Sequence, residues 1–259
     1  MRVGFQRNAL QFIHSGHAGD LNMTHRFFST SIALLFLVPT LVFAAELPTD
    51  RSYITFDAAK QDAMTPASAI EKLKAGNRRF VEGDAHNRDL RAQAESTASG
   101  QYPFAVVLSC LDSRSAPEII FDQGVGDLFV ARVAGNVIND DMLGSFEFAT
   151  KVAGSKVIVI MGHSACGAVM GACDGVEMGH LTGLLDKIMP AVDATPVAAD
   201  AARNATNRKF VEAVTEANAK MQVADVLRRS PILKALVDQG DLLVVPAMHD
   251  LSTGEVTFL

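Results

Sequence analysis

The chain has 259 residues, 49% of them hydrophobic and 20% charged, with no low-complexity tract. That composition suits one soluble globular domain with at most an appendage, and it excludes a disordered or fibrous protein. A formal charge of −6 argues against a nucleic-acid binder, and three cysteines are too few for a disulfide scaffold.

Residues 32–45 form an apolar run behind Arg26 and Ser29-Thr30-Ser31. The run is shorter than the roughly 20 residues that a membrane span needs. A basic start, an apolar stretch and the small residues of Val42-Phe43-Ala44 predict a signal peptide over residues 1–44, cut after Ala44, with Met23 a candidate true start. Export to a bacterial periplasm is therefore expected, and no basic cluster follows to hold the mature chain at a membrane. Residues 45–64 read as an N-terminal tether and residues 65–259 as one α/β domain.

Thr65-Pro66 is a helix start, and Ile70, Leu73, Phe80 and Val81 carry a helical stripe through Glu82. A polar stretch, 86–100, follows. Apolar runs at 104–109, 156–161 and 242–245 lack strict alternation and read as strands covered on both faces, with a weaker strand at 127–132. Helical patterns occupy 116–121, 142–153, 168–173 and about 198–227. This alternation predicts an α/β fold with a mainly parallel β-sheet flanked by helices, and Thr253-Gly254 a final turn into an edge strand. Sheets of this kind bind ligands beyond the carboxyl ends of their strands, which singles out 110–114 and 162–167.

Those two segments carry chemistry. Cys110 closes one buried strand, His163 closes another, and Cys166 follows one turn later. Two thiolates and an imidazole form a borderline-soft set that suits Zn²⁺, and three ligands with an open position describe a catalytic zinc. Cys173 lies two helical turns beyond Cys166 and points elsewhere. A strand-end cysteine or histidine taken singly reads as ordinary core. A Cys110–Cys166 disulfide is the other alternative, and it would leave Asp112, Arg114 and His163 without purpose.

Cys-x-Asp-x-Arg, followed about fifty residues later by His-x-x-Cys-Gly, resembles the β-class carbonic anhydrases. The likeness runs from Pro66 to Leu259 and includes Gly76-Asn77-Arg78-Arg79-Phe80 and Arg132-Val133-Ala134-Gly135-Asn136. It implies a β-carbonic anhydrase-like fold and one Zn²⁺ per chain on Cys110, His163 and Cys166. It also implies that a hydroxide formed at that metal attacks CO₂ to give bicarbonate. By the same resemblance Asp112 and Arg114 match the family's catalytic dyad. Gln101 matches its substrate-orienting glutamine, Phe129 and Phe148 aromatic positions of the substrate pocket, Ala134 a small wall residue and Gly167 a glycine facing substrate. Because Gln101 and the aromatic wall come partly from a neighbouring subunit in the family, a homodimer or homotetramer is implied. Partners beyond that are the small-molecule substrate alone, with no nucleic acid and, after signal cleavage, no membrane.

Leu111 stands where serine is commoner in the family, and its side chain is expected in the core; Ser115-Ala116-Pro117 replaces the usual Val-Pro. The family's inhibitory bicarbonate site needs a tryptophan, and the chain has none. Alternative functions are hydrolysis of carbonyl sulfide or carbon disulfide on the same zinc set, and non-catalytic zinc or bicarbonate binding. A thiol redox protein would want Cys-x-x-Cys, which the sequence lacks.

Overall fold

The computed structural model describes residues 54–259; the expected signal peptide, its cleavage point and Met23 lie outside them. The described chain begins with a short helix, Ala58–Asp62 (α1), capped by the Asp57 carboxylate. It then runs through Pro66–Glu82 (α2) and Leu90–Ser96 (α3) into the first strand, Ala105–Ser109 (β1). Pro117–Ile120 (α4), Leu128–Arg132 (β2) and Asp140–Glu147 (α5) follow, the last continuing into a π-turn at Phe148–Val152. After Val157–His163 (β3) come Gly167–Cys173 (α6), Gly179–Leu185 (α7), Met189–Ala194 (α8), Arg208–Arg229 (α9) and Pro231–Asp238 (α10). Leu243–His249 (β4) and Val256–Phe258 (β5) close the chain.

The sheet order is β2-β1-β3-β4-β5, with the first four strands parallel and β5 antiparallel at the edge. Both faces of the central strands are covered, so β1 and β3 are buried along their whole length and show no polar alternation. Val107, Val159 and Met161 pack with Leu73 of α2 and Phe121 on one face. Val106, Leu108, Ile158 and Ile160 pack with Phe146 of α5, Val226 of α9 and Leu233 of α10 on the other.

Helix α2 starts where the sequence places it, because Thr65 and Ser68 form a reciprocal capping box. Its buried Asn77 ties three parts of the domain together. The amide donates to the carbonyls of Ile120 and Gly254, at 3.1 and 2.9 Å, and its oxygen accepts from Val256 at 2.8 Å. Nearby, the Asp122 carboxylate is buried between the guanidinium groups of Arg79 and Arg88.

Three sequence expectations change. The tether, from Ile54 on, is part of the domain's packing: Phe56 stacks on Phe104 at 5.2 Å, and the Gln61 amide donates to the carbonyls of Pro103 and Ala153, both at 2.8 Å. The polar stretch 86–100 contains helix α3, started by the Asp89 carboxylate on the Ala92 N–H. The long helix begins at Arg208, about ten residues later than the helical pattern over 198–227 predicts, because the Asn207 side chain caps the Phe210 N–H.

Gly76 lies where α2 meets the Phe121 backbone, and a Cβ there would stand 1.8 Å from the Phe121 carbonyl oxygen. Gly76→Ala must push α2 off the turn that ends α4. Chemical denaturation is expected to show a loss of about 3 kcal/mol, and a loss under about 0.5 kcal/mol would refute this close approach.

Candidate metal centre

Parallel pairing of β1 with β3, with Ser109 opposite Met161, brings Cys110 and His163 to the same end of the sheet. Beyond His163 the chain turns through Ser164 and Ala165, the latter at φ 52°, and returns Cys166 as the residue that opens α6. The Cys110 and Cys166 sulfurs are 3.9 Å apart, both cysteines are free and buried, and all three candidate ligand atoms lie within 4.8 Å of one another. Two Zn–S bonds of about 2.3 Å at a tetrahedral angle place their sulfurs roughly 3.8 Å apart, so the spacing fits zinc.

The imidazole is set for the same purpose. His163 Nδ1 donates to the Ser164 carbonyl at 2.9 Å, which fixes the tautomer and leaves Nε2 with a lone pair. That Nε2 is buried and has no hydrogen-bond partner, in a site where a metal would supply one. The donor set therefore fits the metal on both its spacing and its orphaned nitrogen.

A hydrogen bond between the two sulfurs lowers the pKa of Cys110, while that bond and burial push Cys166 up. Burial opposes the His163 imidazolium, but the Cys110 thiolate beside it wins and raises its pKa. A second donor steadies Cys110: the Gly135 N–H points at its sulfur from 3.3 Å. Gly135 sits at φ 68°, and a Cβ there would meet Ile188 at 2.5 Å.

Asp112 and Arg114 form a bidentate pair. Arg114 Nε and Nη2 donate to Oδ1 and Oδ2 at 2.9 and 2.7 Å, and the Arg114 backbone N–H adds a third bond at 2.9 Å. This fork holds the carboxyl well below the usual carboxylate range. Asp112 Oδ2 stands 4.0 Å from His163 Nε2, at the rim of the ligand set. A cleft of about 600 Å³, lined by Arg114, Ser164, Ala165 and Asp250 among others, opens beside it.

The structure brings together Cys110, His163, Cys166, Asp112 and Arg114. Gly167 is exposed at the start of α6 beside Cys166, and Ala134 is half-buried next to Gly135. The remaining expected pocket residues lie elsewhere in this chain. Gln101 is exposed before the start of β1, so the five residues of that strand put roughly 15 Å between it and Cys110. Phe129 and Phe148 meet edge-on at 6.2 Å in a separate cleft beside β2, where Phe148 is 53% exposed.

Leu111 is a correction: it is 66% exposed, not in the core. It lies past the end of β1, where Arg132 gathers the carbonyls of Cys110, Leu111 and Asp112 and leaves the intervening side chain facing out. That grip by Arg132, and the Gly135 N–H on Cys110, were not foreseen. The Arg132–Asn136 motif is visible in the sequence, but the resemblance assigns a role only to Ala134 in it.

A family model described as carbonic anhydrase matches residues 105–256. The chain belongs to the carbonic anhydrase family, in its β class. It is 36% identical over 195 residues to carbonic anhydrase 2 of Mycobacterium tuberculosis, covering 73% of this chain and 90% of that one. It is 33% identical over 178 residues to a carbonic anhydrase of Pseudomonas aeruginosa, covering 64% and 77%. The crystal structure of the β-carbonic anhydrase CafA of Aspergillus fumigatus superposes with a TM-score of 0.56 at 25% identity, covering 74% of this chain and 89% of that one. The expected fold is therefore the observed one, and membership makes the chain a lyase of the CO₂-hydrating family.

Because the Asp112 pKa is lowered on folding, its ion pair adds stability above the ordinary carboxylate pKa and loses it as pH falls through the folded value. Arg114→Ala is expected to bring the Asp112 titration, followed by carboxyl ¹³C NMR, back up toward the ordinary range. An unchanged titration would show that the guanidinium does not set it.

Proposed function

We propose that this carbonic anhydrase works through one Zn²⁺ per chain held by Cys110, His163 and Cys166. The observation that carries the reading is the buried, partnerless His163 Nε2 facing two free sulfurs 3.9 Å apart. When bound, zinc supplies a Lewis acid that makes a water molecule nucleophilic near neutral pH, so that it can add to the carbon of CO₂.

The chain's own residues do the rest. Asp112, kept ionised by Arg114, accepts a hydrogen bond from the nucleophilic water and fixes which lone pair faces CO₂. Gly167, next to Cys166, leaves open space for substrate, since a Cβ there would meet nothing within 4 Å. Ala134 forms a small wall beside the Gly135 turn.

Zinc analysis and stopped-flow CO₂ hydration of wild type and Asp112→Asn test this. About one zinc per chain is expected in both, with kcat falling on the order of a hundredfold in the variant. Zinc without hydration in the wild type would overturn the reading, and turnover of carbonyl sulfide or carbon disulfide instead would move the same site to those substrates.

A second copy completes the substrate pocket in this reading. Gln101 lies at the amino end of β1 and the Phe129–Phe148 pair in a different cleft, so neither reaches the ligands of its own chain. β2 is an edge strand of the sheet, flanked by the exposed Phe148. Such an edge accepts another subunit. Phe148→Asp is expected to give a zinc-loaded monomer by sedimentation with hydration lost by at least about tenfold. A fully active monomer would refute a shared pocket.

A further inference from the structure

We propose that His249 is a positioning residue for the segment that carries Cys110, Asp112 and Arg114, and that it acts through the hydroxyl of Ser115. The inference rests on the metal site described above and extends it to a residue outside the ligand set.

His249 is the last residue of β4, opposite His163 in the β3–β4 register, and only 3% exposed. Its Nδ1 lies 3.2 Å from Ser115 Oγ, and Ser115 is 1% exposed. In the sheet, β3 separates β4 from β1. The imidazole therefore reaches past the end of β3 to hold a segment with which its own strand has no backbone pairing.

Ser115 is where that segment closes. Its N–H donates to the Asp112 carbonyl at 3.0 Å, and its carbonyl accepts from Ser109 Oγ at 3.4 Å, so it bridges the strand end before Cys110 and the turn after it. On its other side, the His249 carbonyl accepts from the Ser164 N–H at 2.9 Å, directly after His163. One residue thus touches both ligand-bearing segments, by side chain on one and by main chain on the other.

The chemistry favours positioning over plain packing. An apolar side chain could fill the same space without a partner, whereas a buried hydroxyl and a buried imidazole each cost free energy unless they bond. Here they bond to each other. Losing either one leaves the other unsatisfied and frees the Asp112 turn by one restraint. Groups behind the first ligands typically change activity by about 10- to 100-fold when removed.

Four variants test this: His249→Phe, Ser115→Ala, the double variant, and His249→Asn, whose amide can occupy the place of Nδ1. Each is measured for kcat and KM separately, for zinc per chain, and for the visible absorption of the Co²⁺-loaded protein, which reads ligand geometry independently of turnover. Both single variants are expected to keep about one metal per chain, to shift the Co²⁺ bands, and to lose about tenfold in kcat with KM within about twofold. The double variant should lose no more than the worse single, and His249→Asn should recover most of the kcat and the wild-type Co²⁺ bands. Unchanged kcat and Co²⁺ bands in Ser115→Ala, or a double loss equal to the product of the singles, would overturn the proposal. Ser115→Ala removes only a hydroxyl, so it decides the matter even if His249→Phe fails to fold. A wild type that hydrates no CO₂ would instead refute the reading of the site; the Co²⁺ bands would still decide the role of His249.

Discussion

The parallel pairing of β1 with β3 is the constraint on which the candidate metal centre depends. Five consecutive register pairs, from Ala105–Val157 to Ser109–Met161, bring the following residues of both strands out at one end of a sheet buried on both faces. Cys110 follows the last pair directly, and His163 is the final residue of β3. Shifting one strand by a residue would turn every side chain to the opposite face and send the cysteine away from the histidine. The apolar packing of Val107, Val159 and Met161 on one side and of Leu108 and Ile160 on the other resists that shift. Burial of the core and placement of the ligands are thus one physical fact.

Around that pairing, main-chain groups do much of the electrostatic work. The Gly135 N–H steadies the Cys110 sulfur, the Ser164 carbonyl sets the His163 tautomer, and Arg132 collects three successive carbonyls of the ligand segment. The Asp112–Arg114 pair, by contrast, is a conventional ion pair. Its strength comes from matching a fork of donors to a carboxylate that is 16% exposed.

The strands and the parallel sheet were legible in the sequence because they depend on local pattern, and the five residues that the structure clusters were legible as two short motifs at strand ends. Covered strands read as unbroken apolar runs, and the ligands sit where such strands end. Thr65-Pro66 announced α2 through its own capping chemistry. Helices α1, α3, α7, α8 and α10 carry no helical pattern that the sequence reading picked up, although Ser230-Pro231 begins α10 with the same kind of start signal as Thr65-Pro66. The docking of Phe56 and Gln61 was hidden because its partners, Phe104, Pro103 and Ala153, are 42 or more residues away. Leu111 misled for another reason: an apolar residue after a buried strand suggests core, but the turn gathered by Arg132 faces it outward. His249 and Ser115 gave no periodic signal, since their bond exists only once β4 lies beside β3.

Asn77 has a consequence for the order in which the domain can be completed. Its three hydrogen-bond partners lie 43, 177 and 179 residues further along the chain. A ribosome delivers α2 long before Val256. For most of synthesis the helix therefore carries an amide that can be bonded only in part, and water must serve it until the final strand arrives. Burying that amide before β5 arrives would strand a polar group. The buried polar residue of that helix thus joins segments that are far apart in the sequence, and its amide is fully bonded only after β5 has docked.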